Sequence, residues 1–110
     1  RTGNIYFGSG SARLDEASRP LLETLADVVA RCPNLLVEVA GHTDSDGSEI
    51  SNRRLSEERA RAVAGFLVET GIEADRLVAR GYGEANPVVP NTTAENKRRN
   101  RRIEFAVLQN

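Results

Sequence analysis

The chain has 110 residues, of which 39% are hydrophobic and 28% charged, and its net charge is −1. These values are typical of one globular domain with its own core, and we expect a single domain over residues 1–110. A net charge this small gives no overall attraction to nucleic acid or to an anionic membrane. No apolar run approaches the roughly 20 residues that cross a bilayer, and no signal peptide opens the sequence.

Two features of the composition concern processing and redox chemistry. The sequence contains no methionine and begins at Arg1, which we interpret as a piece of a longer precursor. Any membrane attachment would then come from segments outside this chain. Cys32 is the only cysteine, which excludes an internal disulfide. Because it continues an apolar helical stripe after Val28 and Val29, we expect it to be a small buried hydrophobe.

Strand and helix patterns alternate in the first 40 residues. Residues 5–7 are a short strand candidate. Apolar residues then recur at helical spacing over about residues 16–31, with Pro20 tolerated because it falls in the first turn. Pro33 ends this helix, and the alternating apolar pattern of residues 35–40 predicts a strand.

A second, longer helix is predicted to begin near Ser48 and to end at Gly71, a residue type suited to the position that follows a helix. Leu77–Gly81 is the next predicted strand. Residues 93–99 form a short predicted helix, and residues 103–107 alternate as a final strand. The order β-α-β-α-β-(α)-β predicts an α/β two-layer sandwich of the α+β type, with two long helices on one mixed four-stranded sheet.

A candidate ligand site pairs Asp44, in a glycine-flanked loop after a strand, with Arg59 on the following helix. Such loops often build binding sites because the scaffold is rigid and the loop is exposed. Asn52, Ser56, Arg59 and Val63 share one helical face. A carboxylate beside a guanidinium suits a ligand that carries an ammonium and a carboxylate close together. A purely structural ion pair is the alternative that spacing alone leaves open.

Metal binding is not predicted, although residues 44–47 resemble the opening of a calcium loop. An EF-hand loop that began at Asp44 would need glycine at its sixth position and glutamate at its twelfth. The chain has Glu49 and Leu55 there. We therefore expect neither a metal nor another cofactor, and we expect His42 to make a local hydrogen bond.

The densest run of charge is Lys97-Arg98-Arg99-Asn100-Arg101-Arg102. Such runs are usually solvated faces or nucleic-acid contacts, but this one holds no aromatic residue that could stack on bases, and we predict no nucleic-acid partner. Arg101 or Arg102 is expected to reach the same site as Arg59. No Ser-His-acid or Cys-His set accompanies His42, so we predict no enzyme.

Five stretches of the chain share their order and spacing with one known family. They are Ile5-Tyr6-Phe7 with Leu14, Val37-Glu38-Val39-Ala40-Gly41-His42-Thr43-Asp44, Asn52-x-x-Leu55-Ser56-x-x-Arg59-Ala60-x-x-Val63, Gly81-Tyr82-Gly83-Glu84 with Pro87, and Asn100-Arg101-Arg102-Ile103-Glu104. Together they resemble the OmpA-like peptidoglycan-binding domain, also called the OmpA C-terminal or OmpA/MotB domain. The resemblance covers nearly the whole chain.

This resemblance implies non-covalent binding of the peptide stem of peptidoglycan, chiefly its diaminopimelate residue. It implies that Asp44 holds the ammonium and that Arg59 holds the carboxylate. The family's asparagine falls on Asn52, and its C-terminal arginine on Arg102 or Arg101. The candidate ligand-binding residues are therefore Asp44, Arg59, Asn52, Thr43, Arg102 and Arg101.

The resemblance leaves the parent protein open among an outer-membrane porin, a Pal-type lipoprotein and a flagellar stator subunit. We expect a domain that tethers the outer membrane to the cell wall in the periplasm of a Gram-negative bacterium. The alternatives are the wall-anchoring module of an ion-driven, MotB-like stator, in which dimerisation is functional, and a protein-protein interaction domain. A homodimer is left open by the sequence.

Overall fold

The computed structural model describes residues 5, 7 and 10–109. These residues contain three α-helices and three strands. The helices are α1 (Arg19–Arg31), α2 (Glu49–Glu69) and α3 (Ala94–Asn100). The strands are β1 (Leu36–His42), β2 (Leu77–Gly81) and β3 (Arg102–Gln109). Two short 3-10 helices, Glu16–Ser18 and Ala74–Arg76, precede α1 and β2. This is the α+β arrangement that the sequence predicts.

The sheet is mixed, with β1 at its centre and the strand order β2-β1-β3. β1 runs parallel to β2 and antiparallel to β3. The parallel pair follows from α2, which carries the chain back across one face of the sheet between the two strands. As a result, the loop after β1 lies at the end of the sheet where β1 and β2 both finish. The first turn of α2 begins at the same end.

The prediction of four strands is not confirmed, because the described residues form three. The candidate strand at residues 5–7 includes Tyr6, which lies outside the described residues. Ile5 and Phe7 are described without a strand assignment, and both are buried in the hydrophobic core. Helices α1 and α2 span 13 and 21 residues, and α3 adds a third, shorter helix.

Local signals in the sequence set the ends of the helices. Ser48 precedes α2 and its Oγ accepts a hydrogen bond from the Ser51 backbone N–H at 3.1 Å. Thr93 does the same for α3 through the N–H of Asn96. Gly71 follows α2 with φ +114°, a conformation that glycine adopts without strain. The predicted limits of the long helix are confirmed. No helix in the described residues has both the length and the apolar composition needed to cross a membrane.

Cys32 is exposed, so the prediction that it is buried is wrong. Helix α1 ends at Arg31, and Cys32 therefore no longer lies on the face that Val29 buries. The Arg76 side chain donates hydrogen bonds to the carbonyl oxygens of Val29 and Cys32. This contact satisfies carbonyl groups that the end of the helix leaves open.

Two adjacent glycines set how closely α2 approaches the sheet. Gly41 of β1 and Gly81 of β2 are register partners, and both face Ser56. A Cβ atom on Gly41 would lie 2.1 Å from the Ser56 carbonyl oxygen, and one on Gly81 would lie 2.4 Å from the Glu57 nitrogen. Ser56 Oγ also accepts a hydrogen bond from the Gly83 N–H at 2.9 Å. The backbone of α2 therefore rests directly on the β1–β2 pair.

Gly41→Ala should destabilise the domain by about 3 kcal/mol, because the added methyl meets backbone atoms that cannot rotate away. Gly65→Ala is the matched control, because a Cβ atom on Gly65 would have no other atom within 4 Å, and it should be neutral or stabilising by up to about 1 kcal/mol. Urea unfolding followed by circular dichroism measures both. Equal midpoints for Gly41→Ala and the parent chain would contradict this packing.

Candidate ligand-binding site

The Asp44 carboxylate lies in the loop between β1 and α2, with its side chain 9% exposed. Its Oδ1 accepts a hydrogen bond from the Asp46 N–H at 3.0 Å. Its Oδ2 accepts one from Arg101 Nη1 at 2.7 Å, a charge-assisted contact across the site. The carboxylate is thus fixed in direction while part of it still faces solvent.

Arg59 lies in the middle of α2 and is 0% exposed. Its Nε donates to the Ser11 carbonyl oxygen at 2.8 Å, and its guanidinium carbon lies 5.1 Å from the centre of the Phe7 ring. Burial, and secondly the positive charge of Arg101, lower the pKa of Arg59 to about 10, against the opposing effect of Asp44. The group stays protonated at neutral pH, so a cation is held where little water reaches it.

The two consecutive arginines after α3 have different surroundings. Arg101 reaches Asp44, whereas Arg102 donates to Glu104 Oε2 at 2.7 Å and to the Asn86 carbonyl oxygen at 2.8 Å. Arg102 begins β3, and neighbouring side chains on a strand point to opposite faces. Of the pair that the sequence leaves open, the structure brings Arg101 and not Arg102 to Asp44.

Asn52 and Thr43 hold the loop in place. Asn52 Nδ2 lies 2.9 Å from the Asp46 carbonyl oxygen and 2.8 Å from Glu84 Oε1. The Thr43 N–H donates to the Gly83 carbonyl oxygen at 2.9 Å, and its Oγ1 donates to the Asp44 carbonyl oxygen. Both side chains are buried, and the two protons of the Asn52 amide already have acceptors. We infer a positioning role for this pair.

Two charged residues near the site were not singled out by sequence reasoning. Glu84 anchors Asn52, and Lys97 Nζ lies 3.1 Å from Asp46 Oδ1. Both contacts join segments more than thirty residues apart in the chain. Spacing carries no signal for such pairs, although Glu84 does fall within one of the stretches that resemble the family.

Asn100 holds the loop of residues 86–91, which contains Pro87 and Pro90. It is fully buried, and its Oδ1 accepts hydrogen bonds from the N–H groups of Val88 and Val89. Its Nδ2 donates to Asn91 Oδ1 at 2.8 Å and to the Val89 carbonyl oxygen. Because Asn100 ends α3 and Arg101 follows it, this anchor also sets where the Arg101 side chain starts.

His42 is buried behind the site on β1. Its ring stacks on Tyr82 with centroids 5.4 Å apart, and its Nε2 lies 3.8 Å from Glu104 Oε1. The predicted local hydrogen bond is not found among the described residues, where Nδ1 has no partner. Burial and the nearby Arg102 lower its pKa to about 4.

The described residues also contain no cluster of three or more side chains suited to a metal.

The neutral state of His42 predicts a pH dependence of stability. Its pKa is about 4 in the folded chain and 6.5 ordinarily, so the unfolded chain takes up a proton over this range that the folded chain does not. The contribution of neutral His42 to the free energy of unfolding is therefore fully present above about pH 6.5. It is lost as pH falls toward 4, which lowers the free energy of unfolding by about 3 kcal/mol. His42→Phe should flatten the slope of unfolding free energy between pH 5 and 7, and an unchanged slope would contradict the assignment.

Comparison with known proteins identifies the family. A sequence profile described as the OmpA family matches residues 6–101, which is most of the chain. The chain belongs to the OmpA family. The matched range includes Asp44, Arg59 and Arg101.

Individual relatives agree with this assignment. The chain is 42% identical over 104 residues to the probable lipoprotein YiaD of Escherichia coli, covering 94% of this chain and 48% of YiaD. It is 40% identical over 105 residues to the peptidoglycan-binding protein ArfA of Mycobacterium tuberculosis, covering 96% of this chain and 32% of ArfA. The solved cell wall anchor of the T6SS from Pseudomonas aeruginosa superposes with a TM-score of 0.82 at 35% identity, covering 96% of this chain and 76% of that one. The chain thus spans less than half the length of these two curated relatives.

Proposed function

We propose that this domain binds peptidoglycan non-covalently through the diaminopimelate residue of its peptide stem, and that it tethers the outer membrane to the cell wall. The observation that carries the proposal is the fixed Asp44 carboxylate beside the buried, charged guanidinium of Arg59. Names of relatives support it, since one is a peptidoglycan-binding protein and one solved structure is a cell wall anchor.

The chemistry of the ligand fits these two groups. The free end of diaminopimelate carries an ammonium and a carboxylate on one carbon atom. Asp44 accepts from the ammonium, and the planar fork of Arg59 receives the carboxylate. Each contact gains strength from the low exposure of its protein partner.

The hydrogen bonds that hold the loop around Asp44 support a binding role. Thr43 Oγ1 and Asn52 Nδ2 both donate to the Asp44 carbonyl oxygen, and Asn52 Nδ2 also donates to the Asp46 carbonyl oxygen. A loop held in its binding conformation loses little entropy when a ligand arrives. The proposed role needs no bond to be made or broken.

Asp44→Asn and Arg59→Lys should each weaken sedimentation with purified peptidoglycan by tenfold or more. Asparagine loses the charge that pairs with the ammonium, and lysine cannot form the two-pronged contact, at about 1.5–3 kcal/mol for each charge-assisted bond. Lysine is preferred to alanine because Arg59 is fully buried and also packs against Phe7.

Matched controls make the same chemical changes away from the site. Arg61→Lys changes an exposed arginine of the same helix, and Asp75→Asn changes an exposed aspartate before β2, at the opposite end of the parallel pair. Both should sediment like the parent chain. If Asp44→Asn and Arg59→Lys also do so, with unchanged circular dichroism, the site is refuted.

The domain should also prefer stems with diaminopimelate over stems with lysine at the third position. Lysine keeps the side-chain ammonium but lacks the carboxylate beside it, which leaves Arg59 partly desolvated without its ligand partner. We expect a loss of about tenfold to a hundredfold in affinity, roughly 1–3 kcal/mol. Calorimetric titration of matched muropeptides measures this, and equal affinities would mean that the stem's free carboxylate is not recognised.

A further inference from the structure

The first turns of α2 present an apolar side chain beside two arginines. Ile50 is 76% exposed, more than any other large hydrophobic residue in the described part of the chain. Arg53 and Arg54 follow it at helical spacing, so both flank Ile50 on the same face. They are exposed, and neither side chain has an ion pair among the described residues. Of the two glutamates beside them, Glu57 is paired with an arginine, so this Ile50 patch is net positive.

The Ile50 patch faces away from the candidate ligand site. Asn52 and Arg59 lie on the buried face of α2. Each residue of an α-helix turns by about 100°, which places Ile50 and Arg54 about 200° around the axis from Asn52. The patch can therefore contact another molecule while the Asp44 loop holds a ligand.

Two adjoining hollows lie at the far end of α2, beside the last turns of α1. Their volumes are about 280 Å³ and 530 Å³, and they share Ala30, Gly71 and Ile72. These small or apolar residues give the hollows an apolar lining. The hollows are also lined by four carboxylates, those of Glu23, Asp27, Glu73 and Asp75, and by one guanidinium, that of Arg76. We call the two hollows together the acidic groove.

The negative charge of the acidic groove is only partly balanced within the domain. Glu23 and Asp75 have no ion pair in the part of the chain that the structure describes. Asp27 and Glu73 each pair with one arginine but keep side chains that are 60% and 70% exposed. The Arg76 side chain also donates to carbonyl oxygens at the end of α1, which fixes its position. The groove thus offers exposed carboxylates around an apolar lining.

We propose that the acidic groove of one copy of this chain binds the Ile50 patch of a second copy. Ile50 enters the hollow beside Ala30 and Gly71, and Arg53 and Arg54 reach the carboxylates around it. An apolar side chain flanked by cations matches an apolar hollow flanked by anions, which is the complementarity that steers association.

The contact joins two different surfaces, which lie at opposite ends of the 21-residue helix α2. A heterologous contact of this kind forms an open head-to-tail chain and does not stop at a closed pair. The contact is small, so we expect weak association in solution. Under the proposed function, domains bound to neighbouring stems would meet at a high local concentration, which favours weak contacts. The inference itself does not depend on the proposed function.

Sedimentation equilibrium of the parent chain tests the association directly. The average mass should rise with concentration up to about 1 mM and should exceed that of two chains at the top of this range. It should be lower in about 0.5 M than in about 0.05 M sodium chloride, because salt screens exposed charges.

Two charge-reversed variants separate the two surfaces. Arg53→Glu with Arg54→Glu changes the patch, and Glu23→Arg with Glu73→Arg changes the groove. Each variant alone should associate at least tenfold more weakly than the parent chain, because its two surfaces then carry like charges. An equal mixture of the two should associate again, since the intact patch of one meets the intact groove of the other.

The matched control is Arg80→Glu with Arg99→Glu, which makes the same change in net charge at exposed positions of β2 and α3. It should associate like the parent chain. Ile50→Ser leaves every charge in place, should also weaken association, and carries the test if a charge-reversed variant does not fold.

Three results would overturn the inference: a parent chain that stays monomeric throughout, a parent chain that stops at a closed dimer, or a mixture of folded variants that does not associate. None of them touches the proposed function, because the patch and groove variants should sediment with peptidoglycan like the parent chain. Loss of that sedimentation in the patch variant would also overturn the inference, since the patch would then belong to the ligand site.

Discussion

The backbone of α2 lies directly against β1 and β2, and this close approach sets the position of every side chain on that face of the helix. At Gly41 and Gly81 there is no side chain between helix and strands, so Ser56 rests on the strand backbone. Arg59 lies one turn further along the same helix. A larger residue at Gly41 or Gly81 would push the helix away from the sheet and shift Arg59 with it. Packing of two glycines therefore fixes the geometry of a charged site.

A fully buried arginine is costly, and the surrounding residues show how the cost is offset. Ser11 supplies a carbonyl acceptor, Phe7 a ring face, and Asp44 an opposite charge. Burial and the nearby Arg101 lower the pKa of Arg59, and Asp44 acts in the opposite direction. Under the proposed function, a ligand carboxylate would add a second negative charge beside this guanidinium. A structural role of Arg59 inside the folded chain and the proposed ligand-binding role are therefore not mutually exclusive.

The helices and strands could be predicted from local sequence signals. The contacts between segments that are distant in the chain could not. Ser48 and Gly71 mark the ends of α2 because capping involves residues next to each other in the chain. The prediction for Cys32 fails because the helical periodicity of buried positions no longer applies to the residue that follows the last turn of α1. The roles of Arg101 and Arg102 could not be separated from the sequence, because their partners Asp44 and Asn86 lie on distant segments. The resemblance to the family pointed to the motif, and the structure was needed to choose between its two arginines.

The loop anchors explain why so many polar residues around the site are buried. Hydrogen bonds from Asn52 and Thr43 end on backbone atoms of the loop between β1 and α2, and Asn100 bonds to backbone atoms of the loop of residues 86–91. These backbone atoms therefore have hydrogen-bond partners although they lie away from water. The charged groups are then left to Asp44, Arg59 and Arg101. The neutral amides and hydroxyls hold the backbone of these loops, and the proposed function assigns the ligand contacts to ionised groups. This division allows a change at a charged position to alter recognition, whereas a change at an anchor would alter the loop itself.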